Sequence, residues 1–392
     1  MSTEPLSLGK YIPLVLTICV TSLFSMLASI AVVRIAHLRL GATYQRYLCM
    51  MSAVSILNST FLLLHPFLIP SDPDYPWAIG GEATCTMVGF IFHFGALMVA
   101  FYNATLALYF YYSIQSGPKM QKEPEDIVGW PETFSHLICW LVPAGLAAAA
   151  AATDSINFDA GPDMCIISGD DSLADILGYI FAGLAGIAVI ISAAVTGAVN
   201  STVVGTLKRG REYGTDAVVD DETKQRLEAV ASQAVLYTIA FINSIIWPVV
   251  LAVLPSGANG TLYYVFQLLA YLIYPFHGVL NCCIYIRPRF QMLKVMYPDD
   301  SFLVVSRVAL SMAGDPEEIE NVRAYIYGDD YECPSAMDSE DMSANSSLPQ
   351  EVSFDPNRPL SQTSMVSCPD DSEQPHSDDE GGDEEDKGKS SD

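Results

Sequence analysis

The chain has 392 residues, of which 51% are hydrophobic and only 16% charged, and its mean hydropathy is positive. That balance excludes an ordinary soluble protein of this size. The formal charge of −26 is concentrated at one end: residues 295–392 carry 25 acidic and 5 basic residues, leaving the rest nearly neutral and giving nucleic acid no basic patch to bind.

A helix rising about 1.5 Å per residue needs roughly 20 apolar residues to cross a bilayer core. Seven stretches meet that length: residues 11–33, 47–69, 85–112, 134–152, 173–204, 230–254 and 262–286. Residues 1–10 precede them as a short N-terminal segment. The first run is too long for a signal-peptide core and has no small-residue cleavage site behind it, so it reads as a membrane helix that stays. The third and fifth runs exceed one span, which predicts tilt or protrusion. Turn chemistry joins the runs, as in Pro70-Ser71-Asp72-Pro73-Asp74 and Pro255-Ser256-Gly257.

The connections alternate in charge. Arg34, Arg39 and Arg46 fall in the first, Lys119 and Lys122 in the third, and Lys208, Arg209, Arg211, Lys224 and Arg226 in the fifth. The intervening ones carry acids such as Asp72, Asp154, Asp163 and Asp170 but no Lys or Arg. The positive-inside rule then places the N-terminus outside and the C-terminus in the cytosol. Residues 287–297, which include Arg287 and Arg289, have the pattern of a short amphipathic helix on the inner leaflet. Residues 298–392 form an acidic, Ser-rich cytosolic tail, expected to be disordered from residue 338. Ser339 and Ser377 stand beside acids and are candidate phosphorylation sites. Asn259, in Asn259-Gly260-Thr261, is the one glycosylation motif that falls outside.

The expected fold is thus an all-α membrane protein, a seven-transmembrane-helix bundle with a surface helix and a disordered tail. Several machines share it. Pumps and proton-coupled transporters need ionisable relays, yet the polar groups within the spans are Asn58, His65, Asn103, Asn243, His277 and Asn281. A retinal sensor needs a lysine in the seventh span, and residues 262–286 have none. The six histidines are isolated from one another and the nine cysteines scattered, so neither a metal site nor a cofactor is indicated. No nucleophile–base pair stands out, which reads as a protein that is not an enzyme.

Four features point to a receptor. Cys85 opens the third span and Cys165 lies in the second outer loop, where a disulfide would pin that loop over the bundle mouth, the alternative being two free thiols. Trp247-Pro248 in the sixth span joins a large ring to a kink-forming proline, and Pro275 and Pro143 offer further kinks. Asn281 and Tyr285 lie four apart on one helix face, pointing polar groups at the inner half of the bundle. The tail serines suit regulation.

Three segments resemble the cyclic-AMP-receptor-like group of G-protein-coupled receptors. They are Trp77-Ala-Ile-Gly-Gly-Glu-Ala-Thr-Cys85-Thr-Met-Val-Gly-Phe90, Tyr102-Asn-Ala-Thr-Leu-Ala-Leu-Tyr-Phe-Tyr-Tyr112 and Pro275-Phe-His-Gly-Val-Leu-Asn-Cys-Cys-Ile-Tyr-Ile-Arg-Pro-Arg-Phe290. The chain departs from the rhodopsin-like receptors. Their acidic-Arg-Tyr lock is replaced by Leu108-Tyr-Phe-Tyr-Tyr-Ser113, and Cys282 stands where their final Asn-Pro motif has proline. The resemblance implies a heterotrimeric G protein as partner but supplies no ligand; the further partners expected are an extracellular small molecule and membrane lipid. It leaves the resting-state lock unidentified. A cationic ligand suits the anionic outer loops better than cyclic AMP, which would find no Lys or Arg there. The competing readings are a passive transporter or channel and a scaffold acting through its acidic tail.

Overall fold

Gly, Pro and Asp clusters cut the apolar sequence into helices. The computed structural model describes residues 8–37, 40, 42–71, 77–116, 129–159, 163–169, 172–212, 221–253, 260–311, 322 and 326. In chain order these give α1 (Leu8–His37), α2 (Thr43–Leu68), α3 (Glu82–Ser116) and α4 (Gly129–Ala152). A hairpin of β1 (Ile156–Asp159) and β2 (Met164–Ile167) comes next. Then follow α5 (Ser172–Glu212), α6 (Asp221–Val253), α7 (Gly260–Ile273), α8 (His277–Met296) and α9 (Phe302–Leu310). The described residues between 8 and 311 belong to one compact unit; of a second unit only residues 322 and 326 are described.

Helices α1 to α6 are each long and apolar enough to cross a bilayer, and α7 with α8 makes a seventh span bent by 42° at the break between them. The chain is therefore a multi-pass membrane protein of seven spans. Polarity is arranged for lipid. Ile176, Tyr179, Ile180, Ile187 and Ile190 of α5 point outward, while Ser22, Ser25, Ser29, Ser52, Ser55 and Ser59 of α1 and α2 are buried. Between helices in lipid, close packing and hydrogen bonds supply the attraction, and small residues permit it. Gly278 of α8 shows why: a Cβ there would lie 2.4 Å from Ser25 Oγ and 2.9 Å from the Ser25 carbonyl of α1. The central cluster gathers Tyr47, Leu48 and Met51 of α2 with Met98, Tyr102, Leu106 and Phe110 of α3 and Tyr237 of α6.

The break in the seventh span has a local cause. Pro275 has no N–H to give the carbonyl four residues back, that of Tyr271. Thr21 of α1 brings its hydroxyl to 3.1 Å from this carbonyl and shares it with the Thr17 carbonyl at 2.7 Å. By contrast, Pro143 and Pro248 lie inside the uninterrupted helices α4 and α6. So the helix interruption falls at Pro275 rather than at Pro248.

The separate surface helix expected over residues 287–297 is not found. Helix α8 runs without interruption to Met296, with Pro288 inside it. Two bases hold this extension to its neighbours: Arg287 donates to Ser232 Oγ of α6 at 2.7 Å and Arg289 to the Ser311 carbonyl at 2.8 Å. The short amphipathic helix is α9, which buries Val305, Val308 and Ala309 and exposes Phe302, Leu303 and Leu310. Ser301 caps it by accepting from the Val304 N–H.

Candidate functional site

The hairpin closes one end of the bundle. β1 and β2 pair antiparallel with Phe158 opposite Cys165, and the disulfide joins Cys165 to Cys85 in the first turn of α3, their Cα atoms 5.4 Å apart. Two histidines seat it from below. His65 Nε2 of α2 accepts from the Cys165 N–H at 3.3 Å, and His93 Nε2 of α3 accepts from the Ile167 N–H at 3.4 Å. His93 Nδ1 donates to the Gly89 carbonyl at 2.7 Å, which fixes Nε2 as the acceptor. Gly89 admits the hairpin: a Cβ there would lie 2.3 Å from Ile156 Cγ2 and 2.9 Å from the Cys165 carbonyl. Between the two strands the backbone turns left-handed at Asp163 (φ 51°), and this buried carboxylate accepts from Gln267 Nε2 of α7 at 3.2 Å. The hairpin thereby contacts α2, α3 and α7 as a seated cover.

In the middle of the bundle the predicted polar residues have different fates. Asn58 Nδ2 donates to the Tyr274 hydroxyl at 3.0 Å, beside the Pro275 break. Asn103 donates to the Val99 carbonyl of its own helix at 2.9 Å. His277 Nε2 accepts from Asn281 Nδ2 at 2.9 Å, and its Nδ1 lies 3.3 Å from Ser244 Oγ of α6. Asn243, on the next position of α6, is exposed on the outer face and joins none of this. Trp247 is half-buried against Phe266 of α7, ring centres 6.3 Å apart, and its indole N–H has no hydrogen-bond partner among the described residues.

The opposite end is tied by four consecutive residues at the start of α2. The Tyr44 hydroxyl meets that of Tyr237 on α6 at 3.0 Å, both groups buried. Gln45 Oε1 accepts from the Tyr285 hydroxyl of α8 at 3.0 Å. Arg46 grips Glu132 of α4 with two nitrogens, Nε on Oε1 and Nη2 on Oε2 at 2.6 Å, and also reaches the Leu40 carbonyl at 2.7 Å. The Tyr47 hydroxyl meets Ser135 Oγ of α4 at 2.7 Å. His136, one turn beyond Glu132, meets the Tyr102 hydroxyl of α3 at 2.8 Å. Side chains from α4, α6 and α8 thus converge on one short segment of α2, and α3 is tied to α4 beside it through Tyr102 and His136.

Sequence reasoning placed Arg46 in a loop and did not single out Glu132, Tyr44, Tyr237 or Gln45. The signal present was Glu132 beside Pro131 in a first helical turn, at the membrane end that carries the bases. Of those bases, Lys208 lies exposed on α5 and Lys224 on α6, while the side chains of Arg209, Arg211 and Arg226 lie outside the described residues. So do Asn259, Ser339 and Ser377. Among the described residues no group of His, Cys, Asp and Glu is arranged to hold a metal ion.

No protein-family profile matches the chain, and no curated protein matches it in sequence. In fold it is similar to squid rhodopsin. The two superpose with a TM-score of 0.56 at 12% identity, over 82% of this chain and 87% of that one. At that identity the likeness is one of fold alone. The seventh span here has no lysine between residues 260 and 286.

Proposed function

We propose that the chain is a receptor that passes an extracellular small-molecule signal to heterotrimeric G proteins by rearranging its helices. The observation that carries this reading is the contrast between the two ends. One is covered by a disulfide-anchored hairpin, and the other is held by polar contacts that converge on residues 44–47. Such a bundle has a place for a signal to arrive and a latch to release. The positive-inside distribution puts the hairpin outside the cell and the latch in the cytosol. The three segments similar to the cyclic-AMP-receptor-like group favour G-protein coupling at a plasma membrane.

In this mechanism a ligand with higher affinity for the open bundle acts among α3, α5, α6 and α7 beneath the hairpin, since only differential affinity can shift the equilibrium. Trp247 repacks against Phe266, and α7 moves at Pro275. Tyr44–Tyr237 and Gln45–Tyr285 then part, opening a cytosolic cleft bordered by Lys208, Arg209, Arg211, Lys224, Arg226, Arg287 and Arg289. The tail, through Ser339 and Ser377, recruits regulators once phosphorylated. Among the described polar side chains no relay of ionisable groups crosses the bundle, so this reading stands ahead of a transporter.

The test is G-protein dissociation in cells co-expressing the chain, comparing wild type with Trp247→Ala and Cys85→Ser at matched surface levels. A wild-type basal signal that both substitutions change is expected. No signal from any variant on a broad G-protein panel favours the transporter reading.

A further inference from the structure

At the end of the bundle that carries the latch, the last turns of α1 and the C-terminal end of α9 enclose an open cleft of about 320 Å³, lined by Ala31, Arg34, Ile35, Leu310 and Ser311. That volume lies within the range of small-molecule sites, about 300–1,000 Å³. Its charge has one sign. Arg34 is exposed into it and makes no hydrogen bond or ion pair among the described residues. Arg289 reaches the Ser311 carbonyl from behind at 2.8 Å, and Arg307 stands exposed one turn before Ser311. No acidic side chain lines the cleft.

The flanks of the cleft are apolar and face outward. Above it on α1, Phe24 (57% exposed) and Leu27 (52%) point away from the bundle; on α9, Leu310 is exposed at the cleft itself, and Phe302 and Leu303 are exposed at the other end of that helix. In a multi-pass membrane protein, apolar side chains exposed on a span are covered by acyl chains, and a guanidinium at the end of that span sits at headgroup depth. A ligand that fits has an anionic oxygen group at one end and hydrocarbon at the other. We propose that this cleft binds an anionic phospholipid, with Arg34 holding its phosphate and the α1 and α9 flanks taking its chains. Planar guanidinium matches phosphate oxygens in a two-point contact. The site does not depend on the receptor reading, since it concerns only the bundle and its membrane.

The experiment uses the full chain in nanodiscs of phosphatidylcholine with a minor share of phosphatidylglycerol. Lipid retained after transfer to detergent is counted by native mass spectrometry. Wild type is expected to retain one phosphatidylglycerol per chain. One base at a membrane surface is worth about a fivefold change in lipid occupancy, so Arg34→Gln should lower retention by about that factor. Ala31→Trp, which fills the cleft without touching a charge, should lower it too, whereas Lys224→Gln on α6 should not. Excess glycerol 3-phosphate should fail to displace the lipid. Equal retention in wild type and Arg34→Gln overturns the proposal. So does an equal loss in Lys224→Gln, which means diffuse surface charge, or full displacement by glycerol 3-phosphate, which means a site for soluble anions.

Discussion

Tyr44, Gln45, Arg46 and Tyr47 follow one another on a helix of 3.6 residues per turn, so their side chains leave the axis about 100° apart. Four such residues cover every side of α2, which is why a single turn can touch α4, α6 and α8 at once. An interhelical hydrogen bond in a membrane protein is worth about 0.6 kcal/mol, or about threefold in an equilibrium. If the Tyr44–Tyr237 bond exists only in the resting bundle, Tyr237→Phe raises basal G-protein activation by about that factor. Tyr44→Phe should do the same, and the double variant should add little, because either change removes the same bond. Glu132→Gln removes the charge facing Arg46, which is partly exposed and keeps the Leu40 carbonyl and Thr43 as partners. The expected cost is about 1 kcal/mol, seen as a fall of a few degrees in melting temperature, with Glu132→Ala falling further. None of these contacts was legible in the sequence. The partners stand 86 to 240 residues apart, and nothing in a local pattern says which tyrosine faces which.

Among the elements, the hairpin and the broken seventh span differ in how far sequence could reach them. The spans were visible because length and apolarity alone define them. The strands Ile156–Asp159 and Met164–Ile167 are four residues each, too short for an alternating pattern to register. What holds them is tertiary: His65 and His93, respectively 100 and 74 residues from the backbone groups they bind, and the space left by Gly89. Gly89→Val should therefore unseat the hairpin. Its Cys85–Cys165 bond should then be reduced faster by a reductant added outside, as scored by alkylation and mass spectrometry; an unchanged rate contradicts the seat described here. The surface helix was misplaced by one element for a related reason. Basic and apolar residues over 287–297 look amphipathic, yet Arg287 finds Ser232 and Arg289 finds Ser311, and these contacts keep the segment in line with α8. Pro275→Ala restores an N–H for the Tyr271 carbonyl and should straighten the 42° bend, measurable as a changed distance between spin labels on α7 and α8.

At the scale of the whole molecule, hydropathy predicts seven spans, and among the described residues there are six single-helix spans and a seventh in the bent pair α7 and α8. Hydropathy does not predict how each helix is rotated: α2 buries Ser52, Ser55, Asn58 and Ser59 and exposes Leu57 and Leu64, so its buried stripe is set by its neighbours and not by apolarity. That rotation decides the function proposed here: it aims residues 44–47 at three other helices and leaves Asn243 facing outward. If the polar contacts of α2 restrain a bundle that can activate a G protein, breaking one of them must speed nucleotide exchange. The most direct measurement is guanine-nucleotide exchange on a panel of purified heterotrimeric G proteins. It compares the full chain in nanodiscs as wild type, Tyr237→Phe and Tyr44→Phe with Asn243→Ala as an outward-facing control. Faster exchange on at least one G protein with both latch variants, and wild-type exchange with Asn243→Ala, is the predicted result. Identical exchange from all four proteins on every G protein, with all four folded, would contradict it.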